Sequence, residues 1–125
     1  MQPYFFPYYG YFNLINEVDK FVFLDDVQFN RRGWVHRNKL YGHDKQLSWL
    51  TLPLKKKPRE TTLIKDIEFV PNIDEVFSKL IRKFPKINSL DQDIKNTMMD
   101  FEKKSVNYLI DNLLMISKVL RIKSK

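Results

Sequence analysis

The chain opens with Met1-Gln-Pro-Tyr-Phe-Phe-Pro-Tyr-Tyr-Gly-Tyr-Phe12, a stretch in which seven residues are aromatic. Pro3 and Pro7 fix their own φ angles and favour extended backbone in the residues before them. Gly10 allows a sharp turn or a close approach of the backbone. Chain termini usually fray, but a loose tail would expose all these rings to water at a cost. We therefore predict an ordered loop, here called the aromatic loop (residues 1–12), that forms half of a pocket.

Several side chains of the aromatic loop combine an apolar part with a hydrogen-bonding group, as the ring and hydroxyl of tyrosine do. Such groups suit the recognition of flat or sugar-like ligands. A different interpretation is that the loop is a hydrophobic plug that closes the end of a sheet. On the first interpretation, the candidate ligand-binding residues of the loop are Gln2, Pro3, Tyr4, Pro7, Gly10 and Tyr11.

The residues after the loop predict a short helix over 12–18 and a strand over 20–24. This strand ends in Asp25 and Asp26, and ligand crevices of α/β folds open at the carboxyl ends of strands. Paired carboxylates can bind a metal, orient a sugar hydroxyl or act as a base, so both are candidate catalytic residues. Only one of them can face a given pocket, because neighbouring strand residues point to opposite faces. The alternative is a simple strand-ending turn.

The next segment, Gln28-Phe-Asn-Arg-Arg-Gly-Trp-Val-His-Arg-Asn38, is dense in Arg, Asn and Trp. Guanidinium groups can grip a phosphate with two hydrogen bonds, and an indole ring can stack on a base. Pairing of the arginines with local carboxylates such as Asp25 and Asp26 is the competing interpretation. The candidate ligand-binding residues of this segment are Gln28, Arg31, Arg32, Trp34, Arg37 and Asn38.

The rest of the chain predicts a turn over 41–45, strands over 46–54 and 63–70, and helices over 73–84, 90–104 and 108–120. Asn72 and Ser89 are the predicted helix caps. We predict an α/β (α+β) fold with a small mixed sheet in the N-terminal half and a helical C-terminal half. Loop–helix–strand units normally start with a strand, so we expect the first strand to be truncated. Residues 1–125 then form a single, incomplete domain, with the candidate pocket in 1–70 and helices in 71–125.

Composition limits the possible functions. The 125 residues are 43% hydrophobic, contain no cysteine and carry a net charge of +7. We expect a folded cytoplasmic protein without disulfides or a membrane span. The positive charge favours phosphorylated partners, although a dispersed excess of lysine need not imply any partner. His36 and His43 do not form a zinc-binding pattern, so we expect no zinc site and name no metal-binding residue. Phosphate-binding glycine motifs are absent, and no particular cofactor or oligomeric state is indicated.

The chain resembles the WbqC-like protein family in four motifs that occur in the same order. They are residues 1–12, Asp19-Lys-Phe-Val-Phe-Leu-Asp-Asp-Val-Gln-Phe29, Arg31-Arg-Gly-Trp-Val-His-Arg-Asn38 and Trp49-Leu-Thr-Leu-Pro53. The resemblance implies a bacterial group transferase or modifying enzyme that acts on nucleotide-linked sugars in the biosynthesis of O-antigen and other surface polysaccharides. Typical members have a strand before the loop, a further α/β half, and asparagine where this chain has His36.

Two functions from different classes follow. As an enzyme, the chain would hold the diphosphate of a nucleotide-linked sugar, or of another phosphorylated small molecule, with its arginines. Trp34 or a loop tyrosine would stack on the ligand, and Asp25 or Asp26 would orient or deprotonate a hydroxyl or amine. The alternative is a truncated, non-catalytic remnant, or a nucleotide- or anion-binding chain that needs a partner segment. We do not expect nucleic-acid binding, because no recognised module is present.

Overall fold

Helices and one small sheet make up the regular structure in the computed structural model, which describes residues 1–58 and 61–122. The helices α1–α4 span Tyr9–Glu17, Ile73–Ile81, Gln92–Met98 and Ser105–Val119, and the strands β1 and β2 span Arg37–Tyr41 and Leu47–Thr51. Short 3₁₀ helices cover Ile64–Asp66 and Pro85–Ser89. The predicted α+β class, with a helical C-terminal half, is confirmed.

The sheet is a hairpin of β1 and β2, antiparallel rather than mixed. Asn38 lies opposite Leu50, and Lys39 lies opposite Trp49. Side chains alternate between the faces of a strand, so each of these pairs occupies a different face. Leu50 is buried, whereas Trp49 is exposed. The outer face of the hairpin therefore presents an aromatic ring beside a cation. The predicted turn over 41–45 joins the strands, and Lys45 has a positive φ of 61° there.

The predicted strand over 20–24 is wrong, because this segment is not part of a sheet. It is held by the first residue of the chain: the Met1 amino group donates to the Val22 carbonyl at 3.0 Å, and the Leu24 N–H donates to the Met1 carbonyl at 2.8 Å. A strand requires a ladder of such bonds along a neighbour. Two bonds to one residue do not make that ladder.

The predicted strand over 63–70 is also wrong. The 3₁₀ helix Ile64–Asp66 occupies its first half, and only isolated bridges, Gln28 with Leu63 and Leu54 with Phe69, pair this region with other segments. Ile64 and Ile67 are both buried. Their spacing of three residues matches one turn of a 3₁₀ helix, which explains how both can face the core without a strand.

The predicted helices all exist, but their ends differ. Helix α1 begins at Tyr9 instead of residue 12, and α2 ends at Ile81, before Pro85 starts the second 3₁₀ helix. Helix α4 begins at Ser105 instead of residue 108. The predicted helix over 90–104 is shorter, spanning Gln92–Met98.

The predicted caps are not the residues that bond to the helix ends. Asp91, and not Ser89, caps α3: its carboxylate accepts a hydrogen bond from the Asp93 N–H at 2.9 Å. Asn72 occupies the N-cap position of α2, but its side chain forms no capping hydrogen bond. Asp and Asn are both favoured at the N-cap position. Residue type alone therefore did not show that the Asp91 side chain caps its helix and that the Asn72 side chain does not.

The core consists of two clusters that meet at the aromatic loop. The first surrounds Phe77 and Tyr108 and includes Phe5, which is 1% exposed. The second lies between α1, α3 and α4 and includes Tyr11. Tyr4, Phe6 and Leu90 pack against both clusters. The aromatic loop is therefore part of the core and not only a cover over it.

Candidate functional site

Hydrogen bonds fix the aromatic loop to the segment that leads into the hairpin. The Phe5 N–H donates to the Val35 carbonyl at 3.0 Å. The Asn38 side-chain amide donates to the Phe6 carbonyl. Phe6 itself has a φ of +45°, a conformation that bulky residues rarely adopt. These bonds hold the loop in a strained shape and set the direction of the rings on either side of Phe6.

A cavity of about 380 Å³ lies where the loop meets the hairpin segment, and we call it the aromatic cleft. Its lining residues are Tyr4, Phe5, Pro7, Tyr8, Trp34 and Asn38. Four of these were predicted as ligand-binding residues: Tyr4, Pro7, Trp34 and Asn38. The side chains of Trp34 and Tyr8 are 46% and 75% exposed. The volume lies within the range of about 300–1,000 Å³ that is usual for small-molecule sites.

Three other predicted loop residues, Pro3, Gly10 and Tyr11, do not line the cleft. Pro3 is fully buried. Tyr11 is buried too, and its hydroxyl donates to the Gln2 carbonyl at 2.6 Å. Burial is the main cause that raises the pKa of Tyr11. A Cβ atom on Gly10 would lie 2.4 Å from a ring carbon of Tyr8, so the absence of a side chain at Gly10 lets that ring lie against the helix.

A cationic and aromatic edge borders the cleft on the outer face of the hairpin. The rings of Trp34 and Trp49 have centroids 5.2 Å apart. The Arg37 guanidinium carbon lies 3.9 Å from the Trp49 centroid, and the Lys39 ammonium lies 5.0 Å from it. Arg37 is also held by its Nε–H, which donates to the Gly33 carbonyl at 3.0 Å. The edge therefore combines stacking surfaces with two positive charges.

The segment from Gln28 to Arg32 lines a different cavity, of about 230 Å³. The Arg31 guanidinium donates to the Lys55 carbonyl at 3.2 Å, whereas Arg32 is exposed. The ion pairs found in the described part of the chain do not join these arginines to Asp25 or Asp26. Among the described residues, no ion pair therefore supports the competing interpretation, in which the arginines pair with Asp25 and Asp26.

The two candidate catalytic carboxylates lie apart from the aromatic cleft. Asp25 is half-buried, and its backbone carbonyl accepts from the Lys65 N–H at 2.8 Å. Asp26 is exposed. Neither lines the aromatic cleft or the cavity next to Arg31. Their catalytic role stays a prediction.

Sequence reasoning missed Trp49 and Lys39 as site residues, and it left Tyr8 out of the candidate ligand-binding residues although Tyr8 belongs to the aromatic loop. The signal for Trp49 was present: the alternation that predicts β2 places it on one face of the strand, opposite Lys39 in the hairpin register. Tyr8 was obscured by the surrounding rings, since nothing in the local pattern separates an exposed tyrosine from a buried one such as Tyr11.

His36 has a structural environment. It is 5% exposed, and its ring packs edge-on against Phe29 at 4.9 Å between centroids. Burial, followed by the positive charges of Arg37 and Arg31, lowers the pKa of His36 to about 4. Among the described residues, no group of three or more His, Cys, Asp or Glu side chains is placed to hold a metal ion.

The fold and the cleft describe a small α+β protein with an aromatic, ligand-sized cavity. The model of the WbqC-like protein family matches residues 2–125, and the chain belongs to this family. A protein of Mycobacterium tuberculosis (strain ATCC 25618 / H37Rv), named "Uncharacterized protein Rv1507c", is 39% identical over 59 residues. These are 47% of this chain but 25% of that protein, so the similarity spans a quarter of the relative's length. No solved structure matches the chain significantly. In the described residues, every helix is too short or too polar to cross a bilayer.

Proposed function

We propose that the chain binds a nucleotide-linked sugar in the aromatic cleft, as part of a group transferase or modifying enzyme of bacterial surface-polysaccharide biosynthesis. One observation carries the proposal: the half-exposed Trp34 ring forms a wall of a 380 Å³ cavity and contacts a tryptophan that lies under the Arg37 guanidinium. A ligand with a flat ring and a phosphate needs such a combination of surfaces.

The ring of the ligand stacks on Trp34, with Tyr8 on the open side. Stacking of a base on an aromatic side chain contributes about 1–3 kcal/mol. The Asn38 amide already donates to the Phe6 carbonyl, and its oxygen accepts from the Lys39 N–H at 2.7 Å. Asn38 therefore positions the loop and the strand, and contact with the ligand falls mainly to the rings.

The phosphates lie towards Arg37 and Lys39. Arg37 uses its Nε–H for the Gly33 carbonyl, which fixes the direction of the guanidinium plane and leaves the terminal nitrogens to face an anion. Arg31 and Arg32 extend the same positive charge along the chain. A charge-assisted hydrogen bond to phosphate is about twice as strong as a neutral one.

Group transfer needs an acid or base, and our proposed catalytic residues are Asp25 and Asp26, which lie outside the lining of the aromatic cleft. One of the two substitutions, Asp25→Asn or Asp26→Asn, should then abolish transfer and leave nucleotide binding intact. A second candidate function is favoured by the lining of the cleft, in which none of the described residues is Asp, Glu or His. This is a nucleotide- or anion-binding chain that needs a partner segment for chemistry. Transfer activity unchanged in both variants would support the second candidate.

Tryptophan fluorescence tests the binding itself, because Trp34 and Trp49 are the two tryptophans of the chain. Titration with UDP- and dTDP-linked sugars should quench the emission with saturation. Calorimetry should show binding lost in Trp34→Ala, weakened in Arg37→Ala and kept in Trp34→Phe. Arg82→Ala, which removes an exposed arginine of no cavity described above, is the matched control. No quenching and no heat with any of these nucleotides would contradict the proposal.

A further inference from the structure

A third cavity lies on the inner side of the hairpin, and we call it the apolar cleft. It has a volume of about 280 Å³ and lies between the hairpin, the 3₁₀ helix Pro85–Ser89 and α3. Its walls are mainly apolar and include Phe6, Leu40, Leu50, Ile87, Leu90 and Met98. Three separate parts of the fold build it, so it is a concave site and not one face of a single helix.

The mouth of the apolar cleft exposes apolar side chains to water. Tyr41 and Leu47, which line it, are 53% and 54% exposed. Leu90 is half-buried. Each methylene group that leaves water for such a surface gains about 0.8 kcal/mol. An apolar lining of this kind favours an alkyl chain.

The charges at the apolar cleft have one sign. Its charged lining residues are Lys39 and Lys86. The Lys39 ammonium lies beside Trp49 on the outer face, which leaves Lys86 as the cation of the cleft. Among the described residues, no carboxylate forms an ion pair with Lys86. The Asp44 carboxylate of the hairpin turn is not part of this lining and accepts a hydrogen bond from the Gln46 N–H.

We propose that the apolar cleft is a second binding site, which takes a single-chain amphiphile with a terminal anionic group. The alkyl chain occupies the cavity between Leu50 and Met98, and the anion pairs with the Lys86 ammonium. The site shares Lys39 with the cationic edge of the nucleotide site, but it differs from that site in its chemistry and its test. An alkyl phosphate and an alkyl carboxylate share this chemistry, and the experiment separates them.

Phe6 places the two clefts next to each other. Its side chain lines the apolar cleft, while its neighbours Phe5 and Pro7 line the aromatic cleft. The positive φ of Phe6 and its bond from Asn38 hold this dividing position. An amphiphile bound on one side therefore lies one residue away from the wall of the nucleotide site.

Calorimetry on the full chain with octyl, nonyl and decyl phosphate, each below its micelle-forming concentration, tests the proposal. Affinity should rise about fourfold for each added methylene group, and inorganic phosphate alone should give no heat. Undecanoate, which carries the same ten-carbon chain as decyl phosphate, distinguishes the head groups: equal binding defines a general anion site, and weaker binding defines a phosphate site.

Two variants locate the binding. Lys86→Glu should weaken decyl phosphate binding about tenfold, whereas Lys20→Glu, an exposed change of the same charge away from the cleft, should not. Leu90→Trp fills the cavity and should abolish binding, with the melting curve confirming that the variant folds. Affinity that ignores chain length, or that survives Leu90→Trp, overturns the proposal. The absence of heat with all of these amphiphiles overturns it too. If Leu90→Trp then turns a dimer into a monomer, a second copy of the chain is the occupant of the cleft.

Discussion

His36 shows at the scale of one residue how position changes chemistry. In the unfolded chain a histidine has a pKa of about 6.5, and burial with two neighbouring arginines lowers it to about 4 in the fold. Between these values the unfolded chain binds more protons than the native chain. The free energy of unfolding therefore falls as the pH falls from 6.5 to 4. The contribution of His36 to it is at its maximum above pH 6.5.

The loss of stability from His36 across this window should be on the order of 2–3 kcal/mol. Urea unfolding at several pH values measures it. His36→Asn should flatten the pH dependence, and His43→Gln, which alters the exposed histidine, should keep it. An NMR titration of the His36 ring in the native protein gives a second check. A midpoint near 6.5 there would contradict the account.

The residue types predicted an aromatic cleft with hydrogen-bonding groups, but they did not predict which of the candidate residues line it. Tyr4, Pro7, Trp34 and Asn38 do come together. Asp25 and Asp26 lie elsewhere, because the segment 25–27 is held by hydrogen bonds from the Lys65 and Ile64 N–H groups to the Asp25 and Val27 carbonyls, which no local pattern reveals. A carboxylate beside a predicted strand end is a sound candidate only if the strand itself forms.

At the scale of elements, Asn38 is the joint between the hairpin and the aromatic loop. Its amide donates to the Phe6 carbonyl and its oxygen accepts from the Lys39 N–H. Asn38→Ala leaves the partly buried Phe6 carbonyl without that partner, which costs about 1–3 kcal/mol. Chemical denaturation should show this loss, together with weaker nucleotide binding.

Asn107→Ala is the matched control for the joint, since it removes an exposed asparagine of α4. It should change the free energy of unfolding by less than about 0.5 kcal/mol. If Asn38→Ala loses no more stability than Asn107→Ala, the hydrogen bonds of the Asn38 side chain do not stabilise the fold.

Helices were easier to predict than strands. Apolar side chains three and four residues apart marked all four helices, because the pattern is local. Strand β2 was found from the alternation around Trp49, but β1 was hidden by its arginine, asparagine and lysine. The false strand over 63–70 contained a spacing of three between Ile64 and Ile67 that favours a 3₁₀ turn. Helix ends were misplaced because capping depends on geometry as well as residue type.

At the scale of the whole molecule, the aromatic loop ties the two core clusters together. Phe5 stacks with Tyr108 at 6.5 Å and meets Phe77 at 6.3 Å between centroids. Composition and aromatic density predicted a folded core of this kind. They did not predict that the first residues of the chain would be at its centre, because such contacts are long-range.

Phe5→Ala should therefore destabilise the fold by about 3–5 kcal/mol, as large-to-small changes of buried phenylalanine do. Tyr9→Ala, from the same loop but 69% exposed, should cost less than about 0.5 kcal/mol. Thermal and urea unfolding of the two variants give the comparison. Equal losses would mean that the loop only covers the core.

The position of bound ligand tests the central claim most directly, and two-dimensional NMR of the full chain can report it. The indole N–H signals of Trp34 and Trp49 are separate probes at the edge of the aromatic cleft. During titration with a UDP- or dTDP-linked sugar, we expect both indole signals and the backbone signals of Tyr4, Tyr8 and Asn38 to shift together and to saturate. Shifts scattered over the surface, or absent at these residues while ligand is bound, would contradict the account.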